Sequence, residues 1–170
     1  VFSVTTTDVV TASTGGATTN IVTDANLRPV YADIIYVSGT PTILLQCYDS
    51  ATKLQRVFSA TSFNGTWTEL TDTDFTTQGV RGKMEHVDGW TLSLHADGYI
   101  RNSNINSIAN WSATDKILVS SIVGETRGLV KHGQQILAFG SLICEFFVNA
   151  GNPVGSPLNS TKRIEKIGLV

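Results

Sequence analysis

The sequence predicts an all-β fold with almost no helix. Three observations carry that expectation. The chain is cut into short apolar runs bounded by Gly, Asp, Asn or Ser, helical periodicity is almost absent, and threonine is heavily used. The 170 residues include 22 Thr, 15 Ser, 15 Gly and 10 Asn. Thr packs well on a pleated surface because it is branched at Cβ, while Gly and Asn supply the bends.

Strands are expected, in chain order, at 2–10, 30–37, 43–48, 54–59, 66–70, 83–87 and Trp90–His95, then at 99–102, 117–123, 128–131, 135–139, 143–149 and 163–170. Each is a short apolar or Thr-bearing run with a turn residue on either side. In the seventh, Trp90, Leu92 and Leu94 alternate with Thr91, Ser93 and His95, which predicts one dry face and one wet face. The runs 135–139 and 143–148 are apolar at successive positions and are expected to lie inside a sheet.

A repeat underlies these runs. Tyr36-Val-Ser-Gly39, His86-Val-Asp-Gly89 and Val130-Lys-His-Gly133 each precede a strand, a polar turn and another strand, and their glycines are spaced by 50 and 44 residues. Asn64-Gly-Thr-Trp67 and Ile108-Ala-Asn-Trp111 place two tryptophans 44 residues apart. A period of about 40–50 residues with several strands per unit marks β-propeller blades. One small sheet cannot bury both its faces, so blades must stack. The expected blade-like repeats lie near 36–82, 84–127 and 128–170 of one β-propeller portion. Propellers close with about four to eight blades, so the chain is expected to be a very small propeller or part of a larger one. A plain β-sandwich with similar hairpins is the competing architecture.

Composition narrows the function classes. Apolar residues make up 41% and charged residues only 15%, which argues against disorder. A chain of this size can bury roughly 70% of its unfolded surface. With 12 basic and 14 acidic residues the net charge is −2, unlike a basic module built to hold phosphates. Cys47 and Cys144 lie far apart in apolar runs and read as small buried hydrophobes from a reducing compartment rather than a disulfide framework. No apolar run reaches the roughly 18 residues of a membrane span. The chain starts at Val1 without Met and shows no signal peptide, as expected of a processed product or a portion of a longer chain.

Motifs for catalysis are weak. Gly128-Leu-Val-Lys-His-Gly133 has phosphate-loop glycine spacing, but Gln134 and Gln135 stand where Lys and Ser/Thr are needed, and no helix follows. His86, His95 and His132 lack the close spacing that converges on a metal, and no Gly-x-Ser-x-Gly elbow occurs. Arg28, Arg56, Arg81, Arg101, Arg127 and Arg163 fall about one per segment rather than as a cluster on a substrate carboxylate. Asp97 and Glu145 are available carboxylates without the spacing of a glycosidase pair. The sequons at Asn64, Asn110 and Asn159 are what Asn- and Ser-rich turns produce by chance. No catalytic, cofactor or metal residue is therefore assigned, and no enzymatic activity is expected.

Ser62-Phe-Asn-Gly-Thr-Trp67 resembles the Asp-box turn of sialidase-type propellers. That likeness makes a carbohydrate-binding or sialidase-like propeller domain the alternative reading.

The C-terminal third is the most distinctive part. Gln135-Ile-Leu-Ala-Phe-Gly140 leads into Cys144-Glu-Phe-Phe-Val-Asn149, a run that carries Glu145, Phe146 and Phe147. Ala150-Gly-Asn-Pro153 follows, with Gly151 and Asn152, and then Ser156-Pro-Leu158 and Arg163-Ile-Glu-Lys-Ile-Gly168, with Glu165 and Lys166. Upstream lie Asp88-Gly-Trp90, Asp97-Gly-Tyr-Ile-Arg101 and Trp111-Ser-Ala-Thr-Asp115. Over roughly residues 84–170 this order resembles the packaged-DNA stabilisation proteins of short-tailed phages, also called tail accessory, nozzle or hub proteins. Where that family has Glu-Lys-Gly, Ile167 stands between Lys166 and Gly168. Residues 1–83 share only β character with it.

The resemblance implies a virion structural protein. It would form a β-propeller tube in a ring, expected to be a hexamer, below the portal and its adaptor. The ring would extend the DNA channel, retain packaged double-stranded DNA without sequence preference, and anchor spikes, fibres or a needle. The implied location is the phage tail, assembled in the bacterial cytoplasm. Trp111, Glu145, Phe146, Phe147, Asn149, Gly151, Asn152, Pro153, Glu165, Lys166 and Gly168 are then structural signature residues.

Overall fold

The computed structural model describes residues 2–4, 9–14, 17–121 and 125–167. Nearly all of the regular structure is antiparallel β, arranged among the described residues in four sheets. The chain divides into two compact units, Val1–Thr71 and Asp72–Val170. Among the described residues no helix is long and apolar enough to cross a membrane.

The first unit holds two sheets. Strands β1 (Phe2–Val4), β2 (Val9–Thr14) and β3 (Ala17–Thr23) pair in chain order. Strands β4 (Leu27–Val37), β5 (Thr40–Asp49), β6 (Gln55–Ala60) and β7 (Thr68–Glu69) form a four-stranded meander in the order β4-β5-β6-β7. The two sheets share a core of Val10, Leu27, Leu45, Cys47 and Phe58, with Phe2, Ile21, Val22 and Trp67 packed on it. Phe2 meets the Trp67 ring edge-on at 5.7 Å between centroids, a favoured aromatic geometry.

The second unit opens with one helical turn, α1 (Thr73–Thr76), capped by the Asp72 carboxylate, which accepts from the Asp74 N–H at 2.9 Å. Two further meanders follow. One is β8 (Val80–Val87), β9 (Trp90–His95), β10 (Tyr99–Ser103) and β11 (Trp111–Leu118). The other is β12 (Thr126–His132), β13 (Gln135–Gly140), β14 (Cys144–Asn149) and β15 (Leu158–Glu165). Val87, Leu92, Leu94 and Ile100 of one sheet share a core with Leu129, Ile136, Ala138, Phe147 and Leu158 of the other.

The three repeated glycines have one structural role. Gly39, Gly89 and Gly133 sit in the two-residue turn that joins the first two strands of each four-stranded sheet. At Ser38-Gly39 and Asp88-Gly89 both turn residues have positive φ, the type I′ geometry that matches strand twist. A second glycine pair brings the first strands of the second unit together. A Cβ on Gly82 would lie 2.7 Å from Gly128 Cα and 2.9 Å from the Arg127 carbonyl oxygen, so only glycine permits this approach.

Several expected boundaries move. Strand β3 occupies the Thr-rich stretch Ala17–Thr23, where no strand is expected. Strand β11 begins at Trp111 and β15 at Leu158, each earlier than the apolar runs at 117 and 163. Parts of the expected strands 2–10, 117–123 and 163–170 lie outside the described residues. The expected wet face of β9 is dry: Thr91, Ser93 and His95 are fully buried. Period-2 alternation reports polarity, and here a second layer covers the polar side.

Truncating Phe147, which is fully buried between the two sheets of the second unit, to Ala should cost about 3–5 kcal/mol in urea unfolding. Leu142→Ala, at a side chain 75% exposed, should change stability by less than about 0.5 kcal/mol.

Candidate functional site

Most of the signature residues lie on strands β14 and β15 of the β12–β15 sheet or in the connection between them, while Trp111 lies on the β8–β11 sheet. Phe147 faces the shared core. Phe146 lies on the other side of the strand, with the Arg163 guanidinium 4.4 Å above its ring centroid, a cation–π contact. Arg163 also donates to Glu165 at 3.0 Å. Glu145 is 1% exposed. Its carboxyl oxygens accept from the Ser121 N–H at 3.0 Å and the Ser160 hydroxyl at 2.6 Å, which satisfies polar atoms that burial would otherwise penalise.

The Asn149–Pro153 motif is a turn built by its own side chains. Asn149 Oδ1 accepts from the Gly151 N–H at 2.9 Å, and its Nδ2 donates to Asp88 at 2.7 Å. Gly151 takes the left-handed conformation the turn needs. Asn152 Nδ2 donates to the Ser156 carbonyl at 2.9 Å and to Asn159 Oδ1 at 3.1 Å, tying the connection to the start of β15. Lys166 is exposed, and Gly168 lies outside the described residues.

Trp111 belongs to the dry polar face of the β8–β11 sheet. Its ring packs on Phe75 of α1 at 4.7 Å, its indole N–H donates to the Ile108 carbonyl at 2.9 Å, and its backbone N–H donates to Asp72 at 3.2 Å. Phe75 also meets His95 edge-on at 5.8 Å. The His95 Nε2 and the Ser93 hydroxyl are 2.7 Å apart, while His95 Nδ1 has no partner. Burial, with a smaller push from the Arg101 guanidinium, drives His95 from its ordinary 6.5 down to about 3. Such an imidazole is neutral and a poor base, and among the described residues no carboxylate hydrogen-bonds to it as in a catalytic triad. Burial raises the Asp97 carboxyl, but two hydrogen bonds from Arg101, at 3.1 and 2.9 Å, the charge of that guanidinium and the Tyr99 N–H together outweigh it and hold Asp97 below its ordinary range.

Both cysteines are free and buried. Burial pushes the Cys47 thiol up to about 12 and the Cys144 thiol up to about 11, so neither is a ready nucleophile at neutral pH. Among the described residues no three His, Cys, Asp or Glu side chains are grouped to hold a metal ion.

No model of a known protein family matches the chain, and no curated protein matches it.

The structure brings together residues that lie far apart along the chain. Trp90, Asn102, Asn104, Ile105 and Asp115 face Gly151–Gly155 across a cleft of about 540 Å³. The sequence holds one sign of it. Asn102 pairs with Leu92 in register and shares the face of Ile100 and Leu94, so a polar residue stands where the alternation calls for an apolar one. The arginines also gain an order. Arg28, Arg81 and Arg127 each occupy the second position of the first strand in a four-stranded sheet.

The buried His95 predicts acid sensitivity. The unfolded state takes up a proton near pH 6.5, whereas the folded state refuses it until about pH 3, so stability is lost as pH falls through that window. Urea midpoints should fall from about pH 6.5 to pH 4.5, above the range in which Asp97 adds its own loss, and His95→Gln should flatten that slope. A slope unchanged in the variant would assign the acid loss elsewhere.

Proposed function

We propose that this chain is a run of propeller blades in the wall of a phage tail conduit, a structural nozzle or hub protein that performs no catalysis. The observation that carries the architectural half is repetition. Three successive four-stranded antiparallel meanders each open with a two-residue glycine turn and carry an arginine at the second position of the first strand. Blades are small sheets of this kind, stacked face to face. Within the second unit, two of them share one core and make their close approach through Gly82 and Gly128 of their first strands. The proposed repeats near 36–82, 84–127 and 128–170 each include the glycine turn of one sheet, and the first sheet itself begins earlier, at Leu27.

The conduit half rests on the resemblance carried by residues 84–170. Exposed apolar side chains on strands at sheet edges give it physical support. Val30, Tyr31, Ile34 and Tyr36 are exposed on β4, and Ile164 on β15. Both strands end their sheets. Such edges invite pairing or packing by another chain, and a ring of subunits would cover them. The proposed partners are further copies of this chain, the portal adaptor, tail appendages, and DNA passing without sequence preference. Sparse basic charge suits DNA that must slide rather than stick.

Electron microscopy of the intact particle should place the protein in a ring of six on the tail axis, and sedimentation of the purified chain at rising concentration should show self-association. A chain that stays monomeric and turns over a substrate would overturn the proposal.

A further inference from the structure

We infer that the cleft between the β8–β11 sheet and the connection at 151–155 is a binding site for a neutral saccharide. It stands independently of the conduit reading, because it rests on one cleft within the second unit. The cleft lies where the shared core of the two sheets runs out. Leu92, Leu94 and Ile100 fill that core, and the same face continues to Trp90 on β9 and Asn102 on β10.

Asn102 is the decisive residue. It is 1% exposed, its Nδ2 donates to the Ser103 carbonyl at 3.1 Å, and its Oδ1 is buried without a hydrogen-bond partner. A buried amide oxygen left unpaired costs stability, and a leucine there would simply extend the core. Asn102 is among the residues that line the cleft, so a ligand hydroxyl that enters there and reaches past the rim would supply the donor its buried Oδ1 lacks.

The other walls choose the ligand's chemistry. Among the described residues, the lining holds no Lys, Arg or His, so an anion would meet no counter-charge from them. One carboxylate, Asp115, is too few for a metal ion. An apolar ligand would leave the Asn102 oxygen unpaired. A polyhydroxylated ring satisfies each group. Its hydroxyls donate to Asn102 Oδ1 and to the carboxylate, while its C–H face lies on the Trp90 indole, an apolar surface. The opposite wall is held in shape by the bonds from Asn152 to Ser156 and Asn159. About 540 Å³ falls within the range of about 300–1,000 Å³ typical of small-molecule sites.

The test uses the full chain with maltotriose, cellotriose, triacetylchitotriose and galactobiose, and 3′-sialyllactose as the anionic comparison. Binding is read by saturation-transfer NMR and tryptophan fluorescence. At least one neutral sugar should bind, with a Kd near about 1 mM. Asn102→Leu should weaken that binding about tenfold or more while melting no lower than the parent, and Trp90→Ala should weaken it to a similar degree. Trp67→Phe, in the other unit, should leave it unchanged. Three results would overturn the inference: no saturable binding of any neutral sugar up to about 10 mM, binding of 3′-sialyllactose alone, or undiminished binding by Asn102→Leu. None of these would alter the number of subunits in a ring, so this site and the conduit proposal fail separately.

Discussion

A sheet of four short strands has two faces and too little area to dry either one by curling on itself. That constraint organises the second unit. On one side, Leu92, Leu94 and Ile100 are covered by Ile136, Ala138 and Phe147 of the neighbouring sheet. On the other, Phe75 packs on His95 and on Trp111, and Ser93 is fully buried beside His95. Drying the second side has electrostatic consequences. It leaves His95 neutral and forces Arg101 to take Asp97 as a bidentate partner. The same two sheets that touch at Gly82 and Gly128 part around Asn102 and Asp115, so the tight contact and the cleft belong to one packing geometry.

Much of the fold was legible because turn chemistry is local. Gly39 and Gly89 complete turns in which both central residues need positive φ, and a glycine beside Ser or Asp marks such turns in the sequence. Trp67 and Trp111 likewise hold equivalent places, each indole donating to a carbonyl in the turn just before it. What stayed hidden was strand made of polar residues. Ala17–Thr23, the start of β11 and the start of β15 are rich in Thr, Ser and Asn, and their place is fixed by pairing with a neighbour rather than by apolar pattern. Helix α1 is a single turn, too short to show any period.

The candidate site was less legible, for a physical reason. The turn at Asn149–Pro153 stood out in the sequence because its Asn and Gly residues build it locally. Its role as one wall of a cleft depends on Trp90, Asn102 and Asp115, which come from other strands and are brought opposite only by sheet packing. The dry polar face of β9 was misread for the same reason. Alternation shows which side chains share a face, but not what lies over that face.

The repeats differ in one measurable respect. Gly39 is 28 residues before Trp67, whereas Gly89 is 22 before Trp111, and from each tryptophan to the next turn glycine the distance is again 22. The additional length therefore falls within the first sheet. Strands β4 and β5 run for 11 and 10 residues, against 8 and 6 for β8 and β9. Because β6 pairs with β5 only as far as Ile43, the tip of the β4–β5 hairpin overhangs its own sheet and holds Tyr36 out to solvent. The sheets are thus not interchangeable copies, since the first carries a projecting finger whose reach is set by strand length alone.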